Sequence, residues 1–180
     1  MEPRCWVRLP SGMETIPEVW LRGPMPGIQP YLQPAAHTIQ QVREDILAAV
    51  QGLSPAHVWN RPGGAAAIGF HLRHLPGSLD RLLTYSRGES LSPDQLAALA
   101  SERTVYDERP DLEALLARLG GGIDRALEYL ERVPPETLLL HRDVGRKRLP
   151  STTLGLIFHA AEHSARHAGQ IVTLATVVRG

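Results

Sequence analysis

Apolar residues recur every three or four positions in four long segments of this chain, which is the spacing of amphipathic α-helices. The predicted helices cover residues 32–53, 65–86, 111–133 and 152–178. In the first of them, the apolar positions are Leu32, Ala36, Ile39, Val42, Ile46, Val50 and Leu53. No segment shows the strict alternation of apolar and polar residues that marks a half-buried strand. The pattern predicts an all-α protein, and four long helices favour a four-helix bundle.

Proline and glycine affect two of these helices. Pro76 lies inside the second helix, where it lacks an amide donor and crowds the carbonyl of Leu72, so we expect a kink near His74 rather than a break. The third helix contains three consecutive glycines, residues 120–122. Each weakens a helix by about 1 kcal/mol relative to alanine, so this helix could bend or end there. Between the two, residues 92–95 (Ser-Pro-Asp-Gln) have the capping pattern that opens a further short helix.

The first 30 residues differ in composition from the rest of the chain. Their prolines exclude a long helix, and these are Pro3, Pro10, Pro17, Pro24, Pro26 and Pro30. The same segment carries apolar side chains that favour packing against a domain, namely Trp6, Val7, Ile16, Val19, Trp20 and Leu21. We therefore predict an ordered N-terminal strap at residues 1–30, packed on a helical bundle at residues 31–180.

Composition excludes several classes of function. The 180 residues include 19 acidic and 19 basic side chains, so the chain has no overall charge that would favour nucleic acid. The basic run at residues 142–148 is interrupted by Asp143 and Gly145, which indicates a solvated loop. The single cysteine, Cys5, excludes a disulfide framework and favours a reducing cytoplasm. No apolar run approaches the roughly 20 residues that cross a bilayer. We expect a cytoplasmic protein without a nucleic-acid or membrane partner.

Five of the eight histidines lie on two predicted helices: His71 and His74 on the second, and His159, His163 and His167 on the last. Residues four apart share a helix face, with β-carbons about 5–6 Å apart, so His163 can chelate one ion with either neighbour. His159 and His167 are two turns apart, roughly 12 Å along the axis, so all three cannot bind together. One ion would therefore take a neighbouring pair and a third ligand from the second helix.

The polar residues around these histidines favour one choice of ligands. His74 shares a polar stripe with Ser78 and Arg81, whereas His71 stands closer to the leucines. Gln170 lies roughly 20° around the last helix from His163, where its amide could orient a ligand or substrate.

We therefore favour His74, His163 and His167 as ligands, with His71 and His159 beside them or in the core. The alternative is that the imidazoles are hydrogen-bonded side chains at the edge of the core. Burying five of them without partners would cost about 1–3 kcal/mol each, which favours a shared metal.

Three imidazoles without a thiolate suit zinc, nickel, copper or iron(II). Three protein ligands leave at least one coordination position open, which is the arrangement of catalytic rather than structural zinc sites. Water or a thiol in that position would ionise near neutral pH. The ligand set thus predicts a catalytic metal centre.

Three segments of the chain resemble the DinB/YfiT-like superfamily. They are residues 17–24 (PEVWLRGP), 69–75 (GFHLRHL) and 161–171 (AEHSARHAGQI). The last is the most specific, because related proteins carry the pattern E-H-x-x-x-H-x-G-Q there. The resemblance covers most of the chain, although Pro76 departs from the smaller residues expected at its position.

The resemblance implies an up-down-down-up four-helix bundle that is commonly dimeric and binds nickel or zinc. The family's ligands map onto His74, His163 and His167, with one divalent ion per chain. Some members transfer a low-molecular-weight thiol, such as bacillithiol, mycothiol or glutathione, to an electrophile, and others are described as hydrolases. Three functions remain open: thiol transfer to a small-molecule substrate, hydrolysis of small amides or esters, and metal binding without catalysis in a stress response.

Four further features complete the predicted site and assembly. Glu162, about 100° from the metal face, could pair with Arg81 or Arg73 or accept a hydrogen bond from a ligand ring. Arg81 could instead bind an anionic substrate. Trp20 and the leader could help to shape the pocket. The opposite face of the last helix is apolar and rich in small residues, which favours a homodimer.

Overall fold

The computed structural model describes residues 16–180. The first half of the predicted strap and Cys5 lie outside the described residues. Within them the fold is all-α, as predicted, with one small sheet.

Four long helices build the bundle, namely α1 (Gln33–Val50), α3 (Ile68–Ser86), α6 (Leu112–Arg132) and α7 (Thr153–Arg179). The connections hold three short helices and a hairpin, namely α2 (Pro55–Trp59), α4 (Pro93–Ser101), α5 (Val105–Glu108), β1 (His141–Val144) and β2 (Leu149–Thr152). Helices α1 and α3 each pack against both α6 and α7. Their apolar stripes meet in one core, whose fully buried members include Ile39, Leu72, Leu75, Leu119, Ile123, Ile157 and Ile171.

The helix bounds differ from the predicted ones by a few residues. Helix α3 begins at Ile68 rather than at residue 65, because Ala65 and Ala67 have extended backbones with ψ of 164° and 158°. Helix α1 ends at Val50, since Gln51 is non-helical and Gly52 has a φ of 74°. The predicted capping box forms at the start of α4, where the side chains of Ser92 and Gln95 each bond the other's backbone.

The sequence did not predict the β1–β2 hairpin, and residues 142–148 are not simply a loop. The antiparallel register pairs Val144 with Leu149, and Gly145 opens the turn with a φ of 67°. Each strand has four residues, which is too short for an alternating pattern to stand out. Helix α5 was not predicted either, because its four residues make a single turn, too short to show the three- and four-residue spacing of a helix.

Helix α3, which contains a proline, and helix α6, which contains three glycines, are both continuous. Helix α3 runs through Pro76, and the break considered at residues 120–122 of α6 does not occur. The two irregularities fit each other, because a β-carbon at Gly122 would lie 2.7 Å from the β-carbon of Pro76. The missing side chain at Gly122 thus makes room for the proline ring where α3 packs against α6.

We expect Gly122→Ala to lower the free energy of unfolding by about 1–3 kcal/mol, because the added methyl overlaps Pro76 in a packed interface. Gly120→Ala is the matched control, since a β-carbon there meets no atom of the described residues within 4 Å. It should raise stability by about 0.5–1 kcal/mol through helix propensity alone. Urea denaturation of both variants measures the difference. If both substitutions changed the free energy of unfolding in the same direction, the close packing of Gly122 against Pro76 would be contradicted.

The described part of the N-terminal segment contacts the bundle through specific bonds. Val19 is buried, and its amide donates to Oε1 of Gln41 on α1 at 2.8 Å. Arg22 forms a two-pronged ion pair with Glu44, at 2.8 and 2.6 Å. This guanidinium lowers the pKa of the Glu44 carboxyl through a hydrogen bond. The segment is therefore fixed to α1 through Val19 and Arg22.

Among residues 16–180, the structure contains no helix with the length and hydropathy needed to cross a membrane.

Candidate metal centre

Four imidazoles meet where α3 and α7 face each other inside the bundle. His71 and His74 project from adjacent turns of α3, and His163 and His167 project from adjacent turns of α7. The rings of His74 and His167 have centroids 4.7 Å apart, and those of His163 and His167 are 4.5 Å apart. The helix–helix interface thus brings together residues that are about 90 positions apart in the chain.

Three ring nitrogens converge on a common point. Nε2 of His163 lies 3.2 Å from Nε2 of His74 and 3.1 Å from Nε2 of His167. The three residues each offer a ligand atom within 4.8 Å of the others, so they could hold one metal ion. Tetrahedral zinc with bonds of about 2.0–2.1 Å needs nitrogens roughly 3.3–3.4 Å apart. The donor set and its spacing therefore fit a divalent ion after small movements.

The outer nitrogen of His74 bonds a carboxylate. Its Nδ1 lies 2.7 Å from Oε2 of Glu102, which caps the C-terminal end of α4. Because an ionised carboxylate only accepts hydrogen bonds, Nδ1 of His74 carries the proton and Nε2 keeps its lone pair for a cation. The other oxygen of Glu102 accepts from Nη1 of Arg81 at 2.8 Å, and both residues are buried.

His163 and His167 have different outer partners. A guanidinium nitrogen of Arg166 lies 3.3 Å from Nδ1 of His163. Because a guanidinium only donates, Nδ1 accepts, and the neutral ring carries its proton on Nε2, facing the other two rings. His167 then accepts at Nε2 and donates from Nδ1 to Nδ1 of buried His71, at 2.9 Å. Binding a cation would require His163 to move its proton to Nδ1 and Arg166 to turn away.

Burial keeps these rings neutral, which is the form that binds metals. Burial, followed by repulsion from His74, lowers the pKa of His167 to about 3 and that of His71 to about 4. The same two causes, in the same order, lower the pKa of His163. At His163 and His167, protons therefore compete with a metal only in acid.

These shifts predict how the stability of the metal-free protein depends on pH. Below pH 6.5, the unfolded chain protonates His71 and His167 while the folded protein does not, so the unfolded state binds more protons. The free energy of unfolding should be highest above about pH 6.5 and fall by roughly 2–4 kcal/mol as the pH drops towards 4, which is less than the two full shifts would give, because His167 is partly exposed and solvent screens its charge. Urea denaturation across this range measures the slope. His71→Gln should flatten it, and an unchanged slope would contradict the assignment.

Glu162 does not form the ion pair with Arg81 or Arg73 that was considered from the sequence, and His159 lies beside His163, with ring centroids 5.7 Å apart. Glu162 pairs with Arg166 at 2.6 Å and approaches Nδ1 of His159 at 3.4 Å, rather than meeting Arg81 or Arg73. Arg81 is paired with Glu102. The His159 side chain is 49% exposed, so it is not a core residue, because the face of α7 that carries it turns towards solvent.

Gln170 and Trp20 lie on different surfaces. Gln170, together with His71 and Arg166, lines a cavity of about 580 Å³ beside the histidine cluster. Trp20 is 61% exposed and lines a separate groove between α1 and Ala165 of α7. Trp20 is therefore not among the residues that line the cavity beside the cluster, because the leader at Val19 and Arg22 is bonded to α1.

Sequence reasoning missed Glu102. The capping box at Ser92 indicated the short helix that carries it, but Glu102 lies 28 positions from His74 and shares no spacing pattern with it. Only the position of α4 against α3 reveals the contact.

Comparisons with known proteins agree with this architecture. The sequence model of the DinB superfamily matches residues 38–171, which include all three converging histidines. A conserved protein from Enterococcus faecalis, known from its crystal structure, has a similar fold with a TM-score of 0.64. The two chains are 18% identical, and the match covers 83% of this chain and 97% of the other. A search of curated proteins gave no significant match.

Proposed function

Because the chain belongs to the DinB superfamily, we propose that it is a metal-dependent enzyme in which His74, His163 and His167 hold one divalent transition metal ion. The observation that carries this proposal is the convergence of the three Nε2 atoms from two helices. Nitrogen donors without a thiolate suit zinc or nickel, and the resemblance noted above favours the same two metals.

We further propose that the reaction is transfer of a low-molecular-weight thiol to an electrophilic small molecule. A bound ion with an open position would act as a Lewis acid that lowers the pKa of a thiol or water placed there. The thiol sulfur would form a bond to the electrophilic carbon while the leaving group departs with the bonding pair, and the thiol proton would pass to solvent.

The cavity of about 580 Å³ beside the cluster is the proposed substrate site. Arg166 could bind a carboxylate of the thiol when it turns from His163, and the amide of exposed Gln170 could hydrogen-bond the substrate. The alanines at 65 and 66 and Leu174 give the cavity an apolar wall. A thiol that carries both a carboxylate and an apolar portion matches these groups.

The test combines metal-loaded protein with an aryl halide electrophile and a panel of small thiols. The proposal predicts formation of a thioether only when a thiol is present, with loss of activity in His163→Ala. Thiol-independent cleavage of ester or amide substrates would instead establish a hydrolase. Full metal occupancy without turnover of either kind would identify a metal-binding module and overturn the proposed catalysis.

A cytoplasmic homodimer is also part of the proposal. Helix α7 exposes large apolar side chains, including Phe158 at 66% and Val172 at 41% exposure, with small Ala165 between them. Such a face could pack against a second copy. Light scattering should give twice the chain mass, and a clean mass of 19.8 kDa would contradict a dimer.

A further inference from the structure

We propose that Glu102 is a positioning residue that holds His74 ready for the metal, and that Arg81 in turn holds Glu102. This inference rests on the proposed metal site. It assigns a role to a buried ion pair that otherwise has none and to the short helix that carries it.

Each oxygen of Glu102 has one partner. Oε2 accepts from Nδ1 of His74 at 2.7 Å, and Oε1 accepts from Arg81 at 2.8 Å. Only 8% of Glu102 and 9% of Arg81 is exposed. Two directed bonds in a buried place leave the carboxylate little freedom, so the imidazole that donates to it is also fixed in angle and in tautomer.

Helix α4 is attached to α3 through polar bonds near both ends. Near its start, Nε2 of Gln95 donates to Oδ2 of Asp80 and to Oγ1 of Thr84, both at 2.7 Å. At its end, Arg73 donates to Oγ of Ser101 at 2.8 Å, one residue before Glu102. None of the residues from Pro93 to Ser101 is fully buried. The helix thus adds little to the core, and its attachment fixes the position of Glu102.

Gly77 supports the same interpretation independently. A β-carbon at this position of α3 would lie 2.9 Å from Nη1 of Arg81 and 3.1 Å from Oε1 of Glu102. A glycine inside a helix is unfavourable relative to alanine. Here it leaves space for the ion pair to lie against α3 and reach His74.

The expected consequence is tighter metal binding. A carboxylate that accepts from the outer nitrogen of a ligand histidine fixes the ring and makes its other nitrogen a better donor, and loss of such a partner typically costs 10–100-fold in metal affinity. Glu102 is not among the residues that line the proposed substrate cavity, so its effect passes through His74.

The test is zinc affinity, measured by competition with a chromophoric chelator, with the absorption spectrum of the cobalt-substituted protein as a second readout. Glu102→Ala should bind zinc about 10–100-fold more weakly and alter the cobalt spectrum. Glu102→Gln should recover part of the affinity, because its amide oxygen can still accept from His74. The matched control is Glu44→Ala, which also loses an arginine pair, with Arg22, but touches no histidine. It should bind zinc as the unaltered protein does.

Gly77→Ala provides a second route that leaves every polar group in place. It should weaken zinc binding by pushing Arg81 and Glu102 aside, whereas Gly120→Ala should not change it. Zinc binding within twofold of the unaltered protein for both Glu102→Ala and Gly77→Ala would overturn the positioning role while leaving the metal site intact. Failure of the unaltered protein to bind zinc would overturn the metal site itself, and the positioning role with it.

Discussion

Protein carrying His163→Ala is expected to be isolated with almost no bound transition metal, whereas the unaltered protein should carry close to one ion per chain. The Nε2 atom of His163 is the one that lies near both other converging nitrogens, at 3.2 and 3.1 Å. Without the His163 imidazole, only His74 on α3 and His167 on α7 remain as ligands, and the nitrogen that lies close to both of them is gone. Since structural zinc sites with four ligands are worth about 10–16 kcal/mol, removal of one ligand should cost on the order of 3 kcal/mol, or at least 100-fold in affinity.

Elemental analysis of protein purified without an affinity tag measures this effect. His159→Ala is the matched control, because it removes an imidazole one turn away on α7 that is exposed and outside the converging group. That variant should keep its metal. Undiminished metal in His163→Ala would contradict the proposed site, and metal loss in His159→Ala would instead favour the His159–His163 pair as ligands.

Arg81→Ala is expected to lower the free energy of unfolding of the metal-free protein by about 3 kcal/mol. The substitution leaves the buried carboxylate of Glu102 without its cationic partner, and an uncompensated buried charge is costly. The pKa of the Glu102 carboxyl is lowered despite burial, by hydrogen bonds from His74 and Arg81. The folded protein therefore keeps this group charged.

Urea denaturation provides the measurement, and Arg22→Ala provides the control. Arg22 forms an equally short pair with Glu44, but about a third of each side chain is exposed there. Its loss should cost less than about 1 kcal/mol. The double variant Arg81→Ala/Glu102→Ala should be more stable than Arg81→Ala alone, because it removes the orphaned charge. If Arg81→Ala and Arg22→Ala lowered the free energy of unfolding equally, burial of the Arg81–Glu102 pair would not explain the effect.

Local patterns in the sequence determined the helices and part of the site. The three- and four-residue spacing of apolar side chains depends only on the geometry of a single helix, so it identified α1, α3, α6 and α7 to within a few residues. The same geometry placed His163 next to His167. The proline and glycine irregularities could not be interpreted in this way, since Pro76 and Gly122 matter through their contact with each other.

Tertiary packing decided which side chains from different helices meet. The spacing of histidines along the chain left His71 and His74 as candidates for the third ligand, and only the polar stripe around His74 favoured it. The packing of α3 on α7 brings Nε2 of His74 to His163 and turns His71 towards the outer nitrogen of His167. The contact of Glu102 with His74 could not be predicted either. It depends on where α4 attaches to α3 and not on any repeat along the chain. The spacing of residues within a helix is fixed by the hydrogen bonds of that helix. Contacts between helices depend on the crossing angle and on the side chains along both helix surfaces, which no short segment of sequence encodes.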